Sequence, residues 1–412
     1  AELIGKPVDG LRDAEEYWQE YAKDTSPQLK PVYLTSGRTS LWKSILEKQN
    51  AGKSMVVVIG ENRLEVLLTL AAELQLNAPE GIDSSKWEKL RRQCLFVDND
   101  NALARCRDSR FQIRVPTYLY PDISRQEDFC IILALGRNDP LAQKYADQNH
   151  VVQLPWRRQF ECIRALMEMG LGAEPAIRLA GEMHGDFPAL LRKLTKNPAK
   201  QLPSWIREDH TQYLLPLLLT GAWEGDCEGD RTVIADLAGM PYDAYIRNLQ
   251  KFSHKEDKPV FKVENFYTGI VLSELWKLLW NQIPGDQWNR WAQCAHQVLS
   301  GTAQPAVSKT LRKGMASSLA WVSAGNAGAD QKHMTEQIVR AVLDQLETGA
   351  QWARMADVLE ILAEAAPGPC LKKVQKCMKE ETSPLWQIDG AVLLRMLDTW
   401  LWVREYARPA PD

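Results

Sequence analysis

Met55-Val56-Val57-Val58-Ile59-Gly60-Glu61-Asn62-Arg63-Leu64-Glu65-Val66 decides how the chain is read. A short, wholly apolar, β-branched run ends at a glycine, and a helical pattern follows to about Leu76. Such a run reads as a strand covered on both faces, as in a parallel sheet flanked by helices. Downstream, Cys94–Val97, Phe111–Val115, Phe129–Leu135 and Val151–Leu154 repeat the pattern with helical stretches between them. The expected core is therefore an α/β domain over residues 51–155.

A strand, a turn and a helix at the start of a parallel sheet form the place where a phosphate-binding loop sits. That loop needs several glycines, so that backbone N–H groups can surround phosphate, and a lysine followed by Ser or Thr. Residues 60–66 supply one glycine, no lysine, and two carboxylates, Glu61 and Glu65, that repel phosphate. Gly52-Lys53-Ser54 has the right letters but precedes the strand. The weak nucleotide-side candidates are Gly60, Asn62 and Arg63, with Asp98 ending an apolar strand, Arg137 following another, and Pro188. Asp98 has the position of a carboxylate that holds a Mg²⁺ shell. Arg137 lies at a strand's carboxyl end, where open α/β sheets bind ligands.

Before the core, Leu11–Asp24 and Ser36–Gln49 read as two helices in an N-terminal helical segment, 1–50. After it, residues 156–206 read as a helical lid. Residues 207–270 read as a helix from Glu208 to Thr220, a polar loop Glu224–Asp230, helices at Arg231–Ala238 and Tyr242–Phe252, and a hairpin in Val260–Tyr267. Three helices followed by a hairpin is the winged-helix order. Arg247, Asn248 and Lys251 on its third helix, with Lys255 and Lys258 near the hairpin, are the weak DNA-binding candidates. From 271 to 412 the chain reads as helices broken by Gly and Pro, an α-solenoid-like array.

The order of these parts resembles the signal-transduction NTPases called STAND proteins. Leu95–Asp98 looks like the family's magnesium-binding strand. Gly185-Asp186-Phe187-Pro188 looks like its glycine-x-proline lid signature with one residue added. Leu214–Trp223, Asp230–Pro241 and Tyr245–Leu249 resemble a winged-helix stretch of large bacterial proteins of this type, some of them implicated in anti-phage defence. The resemblance implies a degenerate P-loop NTPase-like sheet, a helical lid, a winged helix and a C-terminal helical array. It implies an α/β plus all-α regulatory, sensor or scaffold module that binds a protein partner or itself. The phosphate-binding lysine is missing where the family has it, so the expectation is no enzyme activity. Larger relatives carry an effector domain, and none is readable in this chain.

Bulk properties fit such a module. The chain has 412 residues, 45% hydrophobic and 25% charged, with a net charge of −3, so nothing global favours nucleic acid or an anionic membrane. No apolar run reaches the roughly 18 residues of a membrane span. The opening Ala1–Lys6 lacks the basic and apolar regions of a signal peptide. The eight cysteines form no CxxC and read as reduced thiols, which makes a cytoplasmic location the expectation. No metal and no cofactor is expected: the six histidines are isolated, and His184 reads as a turn residue. Two other readings compete, a winged-helix DNA-binding regulator and an active ATPase with an unorthodox phosphate loop. Many tryptophans punctuate the helical half. Trp400 and Trp402 near its end lead us to expect that Asp398–Tyr406 packs against another chain or a further C-terminal region.

Overall fold

The structure is a computed structural model that describes residues 2–3, 6–7, 9–52, 54–105, 112–118, 121, 129–146, 148–183, 185–207, 210–252, 257–325, 327–388 and 390. The chain divides into two compact units, residues 1–204 with 254–257, and residues 205–253 with 258–412. It is a mixed α/β chain with one six-stranded sheet, mostly parallel, and many helices.

In the first unit the chain opens with a short pairing of Glu2–Leu3 and Lys6–Pro7, followed by β1 (Leu11–Arg12) and α1 (Ala14–Ala22). One helix over 11–24 was expected. Instead Leu11 and Arg12 pair antiparallel with a sheet strand, and the helix starts behind Asp13. The reason is local: Asp13 accepts from Glu16 N while Glu16 accepts from Asp13 N, a capping box that fixes the helix start. Next come α2 (Pro31–Thr35) and α3 (Leu41–Asn50). The helix expected from Ser36 begins only at Leu41, because Ser40 caps it.

β2 (Met55–Gly60) is the strand of the opening quotation, with Val56, Val57 and Val58 fully buried. α4 (Arg63–Glu73) follows and is buried on nearly every side, as Val66, Leu67, Leu68, Leu70, Ala71 and Ala72 show. A helix apolar all round belongs inside a domain, and α1, α2 and α3 pack on it. The N-terminal fifty residues are therefore part of this unit, not an appendage. After α5 (Ser84–Gln93) come β3 (Cys94–Val97), α6 (Asp100–Arg105), β4 (Ile113–Pro116), β5 (Cys130–Gly136), α7 (Pro140–Tyr145) and β6 (Val151–Gln153). The sheet order is β1-β3-β4-β5-β2-β6, parallel throughout except for β1. All five strands expected from sequence are present; the antiparallel edge was not expected. Then α8 (Gln159–Glu168), α9 (Ala173–Met183), α10 (Phe187–Leu194) and α11 (Pro198–Gln201) form the helical segment expected at 156–206.

The second unit begins in a helical turn over Ser204–Arg207 and continues with a turn at Thr211–Leu214 and α12 (Leu215–Thr220). The long helix expected from Glu208 is thus split, with Pro216 in the first turn of α12, where proline costs nothing. Then follow β7 (Ala222–Glu224), α13 (Glu228–Ala238), α14 (Tyr242–Leu249), β8 (Val260–Val263) and β9 (Phe266–Gly269). The hairpin is present, and β7 joins it to make an antiparallel sheet in the order β8-β9-β7. Seven helices complete the described residues: α15 (Leu272–Leu279), α16 (Gly285–Ser300), α17 (Lys309–Ala324), α18 (Ala329–Asp344), α19 (Gly349–Met355), α20 (Leu359–Ala365) and α21 (Pro367–Lys379). They stack in two rows, α12, α17 and α20 in one and α16, α18 and α21 in the other.

A single apolar cluster runs from Trp205 to Ile388. The division expected between 270 and 271 thus falls inside one core, where Trp223 and Tyr245 share the cluster with Trp291 and Trp352. Most tryptophans of this half are buried; Trp386 is exposed. The segment Asp398–Tyr406, with Trp400 and Trp402, lies outside the described residues.

Candidate functional site

In an open parallel sheet the ligand crevice forms where connections from adjacent strands leave in opposite directions. Here that point lies between β2 and β5. The chain leaves β2 toward β3, beyond β5 and β4, and leaves β5 toward β6, beyond β2. Right-handed crossovers then place the two connections on opposite faces. Gly60 and Gly136 are paired at the carboxyl ends of these two strands. Gly60, Asn62, Arg63 and Arg137 all lie at the carboxyl ends of these two strands.

The crevice is closed by the chain itself. Strand β2 ends at Gly60 and α4 begins at Arg63, so only Glu61 and Asn62 connect them. A connection of this length has no room to wrap a phosphate. A Cβ on Gly60 would lie 2.6 Å from Val66 Cγ2 and 3.1 Å from Leu154 Cδ2. The glycine lets α4 and the chain beyond β6 pass close over the strand end. Arg137 N donates to Gly60 O at 2.7 Å, and the largely exposed Arg137 side chain pairs with Glu61 at 3.6 Å. Asn62 caps α4, its Oδ1 accepting from Glu65 N at 3.2 Å. Arg63 Nη1 donates to Thr117 O at 2.6 Å.

Behind this turn lies a cluster of charged groups. Glu65 is 3% exposed, on the first turn of α4. Arg38 Nη2 donates to its Oε1 at 2.9 Å, and Arg157 Nη2 approaches the same atom at 3.5 Å. The remaining donors go mostly to backbone: Arg38 to Leu34 O at 3.1 Å and Pro155 O at 2.9 Å, and Arg157 to Tyr33 O. The Arg157 guanidinium also lies 4.1 Å over the Tyr33 ring. Burial pushes the Tyr33 phenol well above its ordinary pKa, against the pull of Arg157. A helix N-terminus attracts an anion, and here the chain supplies that anion internally and brackets it with two guanidinium groups. Sequence reading noted Glu65 as hostile to phosphate. It missed Arg38 and Arg157, which come from segments 27 and 92 positions away and carry no local motif.

Asp98 does not join this point. Its strand, β3, is three strand spacings from β2, about 14 Å. Its carboxylate accepts from Arg12 and from Thr117 Oγ1, the latter at 2.6 Å. Through Arg12, Asp98 ties the edge strand β1 to β3, and Thr117 stands between it and Arg63. Pro188 occupies the first turn of α10 behind Asp186, whose Oδ1 accepts from Ala189 N at 2.8 Å. Gly185 has φ +78°, and a Cβ there would meet the Trp156 ring at 3.0 Å. That stretch is built as a turn and a helix cap. His184 lies outside the described residues. Two open clefts, of about 410 and 530 Å³, lie at the amino ends of the strands, one lined by Arg91, Arg92 and Leu95, the other by Lys86, Lys89 and Gln112.

Among the described residues the DNA-binding candidates differ in exposure. Arg247 and Lys251 are exposed on and just beyond α14, with Lys251 Nζ 5.5 Å over the Tyr213 ring. Asn248 is half-buried and donates to Met240 Sδ at 3.6 Å. Lys258 is 6% exposed, which corrects its reading as a phosphate contact. Lys255 lies outside the described residues. Among the described residues no three His, Cys, Asp or Glu side chains gather as a metal site, and no helix is long and apolar enough to cross a membrane. In comparisons with known proteins, no family model and no curated protein matched the chain.

Proposed function

We propose that the chain is a non-catalytic regulatory or scaffold module. Its α/β core has the plan of a P-loop NTPase but a closed nucleotide site, and it is followed by a helical lid, a winged-helix segment over residues 207–270 and a solenoid-like array that binds a protein partner. The reading of the core rests on a parallel sheet whose first long strand lies between the fourth and the fifth. The winged-helix reading rests on the order helix, strand, two helices, hairpin, with all three strands in one antiparallel sheet. The observation that carries the non-catalytic reading is the two-residue link from β2 to α4 with Glu65 buried between Arg38 and Arg157. An incoming phosphate would have to displace a buried, doubly paired carboxylate and would find no loop to receive it.

Calorimetric titration of the whole chain with Mg²⁺-ATP tests this. No binding heat is expected at nucleotide concentrations up to about 1 mM, where even a weak site of about −4 kcal/mol would be half filled. Saturable binding of Mg²⁺-ATP would overturn the reading.

A further inference from the structure

The two clefts at the amino ends of the strands share α5 and differ in charge. The smaller sets Asp13, Glu15 and Glu88 against Arg91 and Arg92, and Arg91 Nη1 donates to Glu88 Oε1 at 2.9 Å. Its charges answer one another. The larger, of about 530 Å³, carries Lys86 and Lys89 and no Asp or Glu among its described lining residues. Neither lysine has an ion pair among the described residues.

Two helices and three strand starts build this larger cleft. On α5, Lys86, Lys89, Leu90 and Gln93 follow the helical repeat and share one side. Leu46 and Gln49 do the same on α3. Between the helices lie Ser54, Gln112 and Phe129, each immediately before the first residue of β2, β4 or β5. Leu90, Ile113 and Cys130 are buried and give the cleft an apolar floor. Phe129 is half-buried, with the Arg114 guanidinium 3.3 Å from its ring centroid. Lys86 and Lys89 are exposed and stand at the rim.

Two cations without a carboxylate attract an anion, and the apolar floor selects an anion with an apolar body. A bare phosphate would meet the lysines and leave the floor wet. A neutral hydrocarbon would cover the floor and leave the lysines unused. Gln49, Gln93 and Gln112 add primary amides, each able to donate to a head-group oxygen. The volume lies in the range of small-molecule sites, about 300–1,000 Å³.

We propose that this cleft binds a small anionic amphiphile. Its apolar body lies on Leu90, Ile113 and Phe129, and its acidic head is held by Lys86 and Lys89. The site uses neither the Gly60 turn nor Glu65, which lie at the opposite ends of the strands, so it is independent of the nucleotide reading above.

Calorimetric titration of the full chain with octyl phosphate and, separately, with octanoate tests this and tells a phosphate head from a carboxylate. At least one should bind saturably at concentrations up to about 1 mM. Octylammonium, with the same chain and the opposite charge, should bind at least about tenfold more weakly. Inorganic phosphate should bind at least about tenfold more weakly as well, since it cannot use the floor. Lys86→Glu with Lys89→Glu, both at exposed positions, should weaken the anionic ligand at least about tenfold with an unchanged circular dichroism spectrum. Raising salt from about 50 to about 500 mM on the unaltered chain reads the same contact without a substitution, and should weaken binding several-fold. Saturable binding of neither anion overturns the proposal. So does an affinity that survives the two lysine substitutions and high salt, or one that octylammonium or inorganic phosphate equals.

Discussion

At the scale of single residues, two buried acids organise the two units. Asp230 is fully buried in the second unit and accepts from Glu224 N, Ser308 N and Ser308 Oγ at 2.6–2.8 Å. It fixes the start of α17 against β7. In sequence it sits in Glu224–Asp230, which composition alone marks as a solvated loop; two of its three donors belong to Ser308, 78 positions away, and carry no local signal. Glu65 plays the corresponding part in the first unit. Glu65→Ala should leave Arg38 and Arg157 buried around a hole without their anion, and breaking a buried pair in this way costs about 3–5 kcal/mol. Glu65→Gln keeps one acceptor oxygen for Arg38 Nη2 and should cost less. Urea unfolding of both variants checks the order. If alanine were tolerated as well as glutamine, the carboxylate would not be what holds the two arginines.

Elements were legible where one helix or strand decides its own fate. The parallel strands announce themselves because short, mostly apolar runs between helical stretches have few other folds open to them. The edge strand Leu11–Arg12 did not, because two residues carry no period and pairing with β3 is a tertiary event. Helix starts slipped wherever a cap decided them, as at Ser40. That start has a second support from α4: Glu73 accepts from Ser40 Oγ at 2.6 Å, Leu41 N at 2.8 Å and Trp42 N at 3.2 Å. Burial nevertheless dominates and holds the Glu73 carboxyl above the ordinary carboxylate range, its hydrogen bonds and Arg38 opposing. The folded chain thus binds this proton more tightly than the unfolded chain. Its contribution to stability is complete below about pH 4.3 and is lost as pH rises through the raised value. Relative to Glu73→Gln, which cannot titrate, the wild type should lose stability steadily from pH 4 toward 7. Denaturant midpoints of the two proteins across that range measure it; a difference that grows with pH would mean the helix-capping bonds outweigh burial.

At the scale of the whole molecule, a mostly parallel sheet and many helices were expected and are present, but the contacts group them differently from the expected segments. Five segments were expected, and the chain makes two units, because apolar surface left by short helices is buried by whichever neighbour fits. One very close fit lies in the second unit, where α17 crosses the turn between α12 and β7. A Cβ on Gly314 would stand 2.2 Å from Thr220 O and 2.6 Å from Ala222 N, backbone atoms that have no rotamer to yield. Ser318 Oγ, one helical turn on, donates to Leu218 O at 3.0 Å. Gly314→Ala should therefore cost about 3 kcal/mol or more, at the upper end of overpacking, and the cost should fall on the second unit. Glu65→Ala should fall on the first. Hydrogen exchange read peptide by peptide separates the two: Gly314→Ala should raise exchange across α12, β7 and α16–α18 and leave β2 and α4 protected, and Glu65→Ala should do the reverse. This follows from each unit having a core of its own, since local opening reports the stability of the cooperative unit that contains it. If either substitution loosened both sets of peptides alike, the chain would unfold as one cooperative body, and the division into two units would hold for contacts but not for energetics.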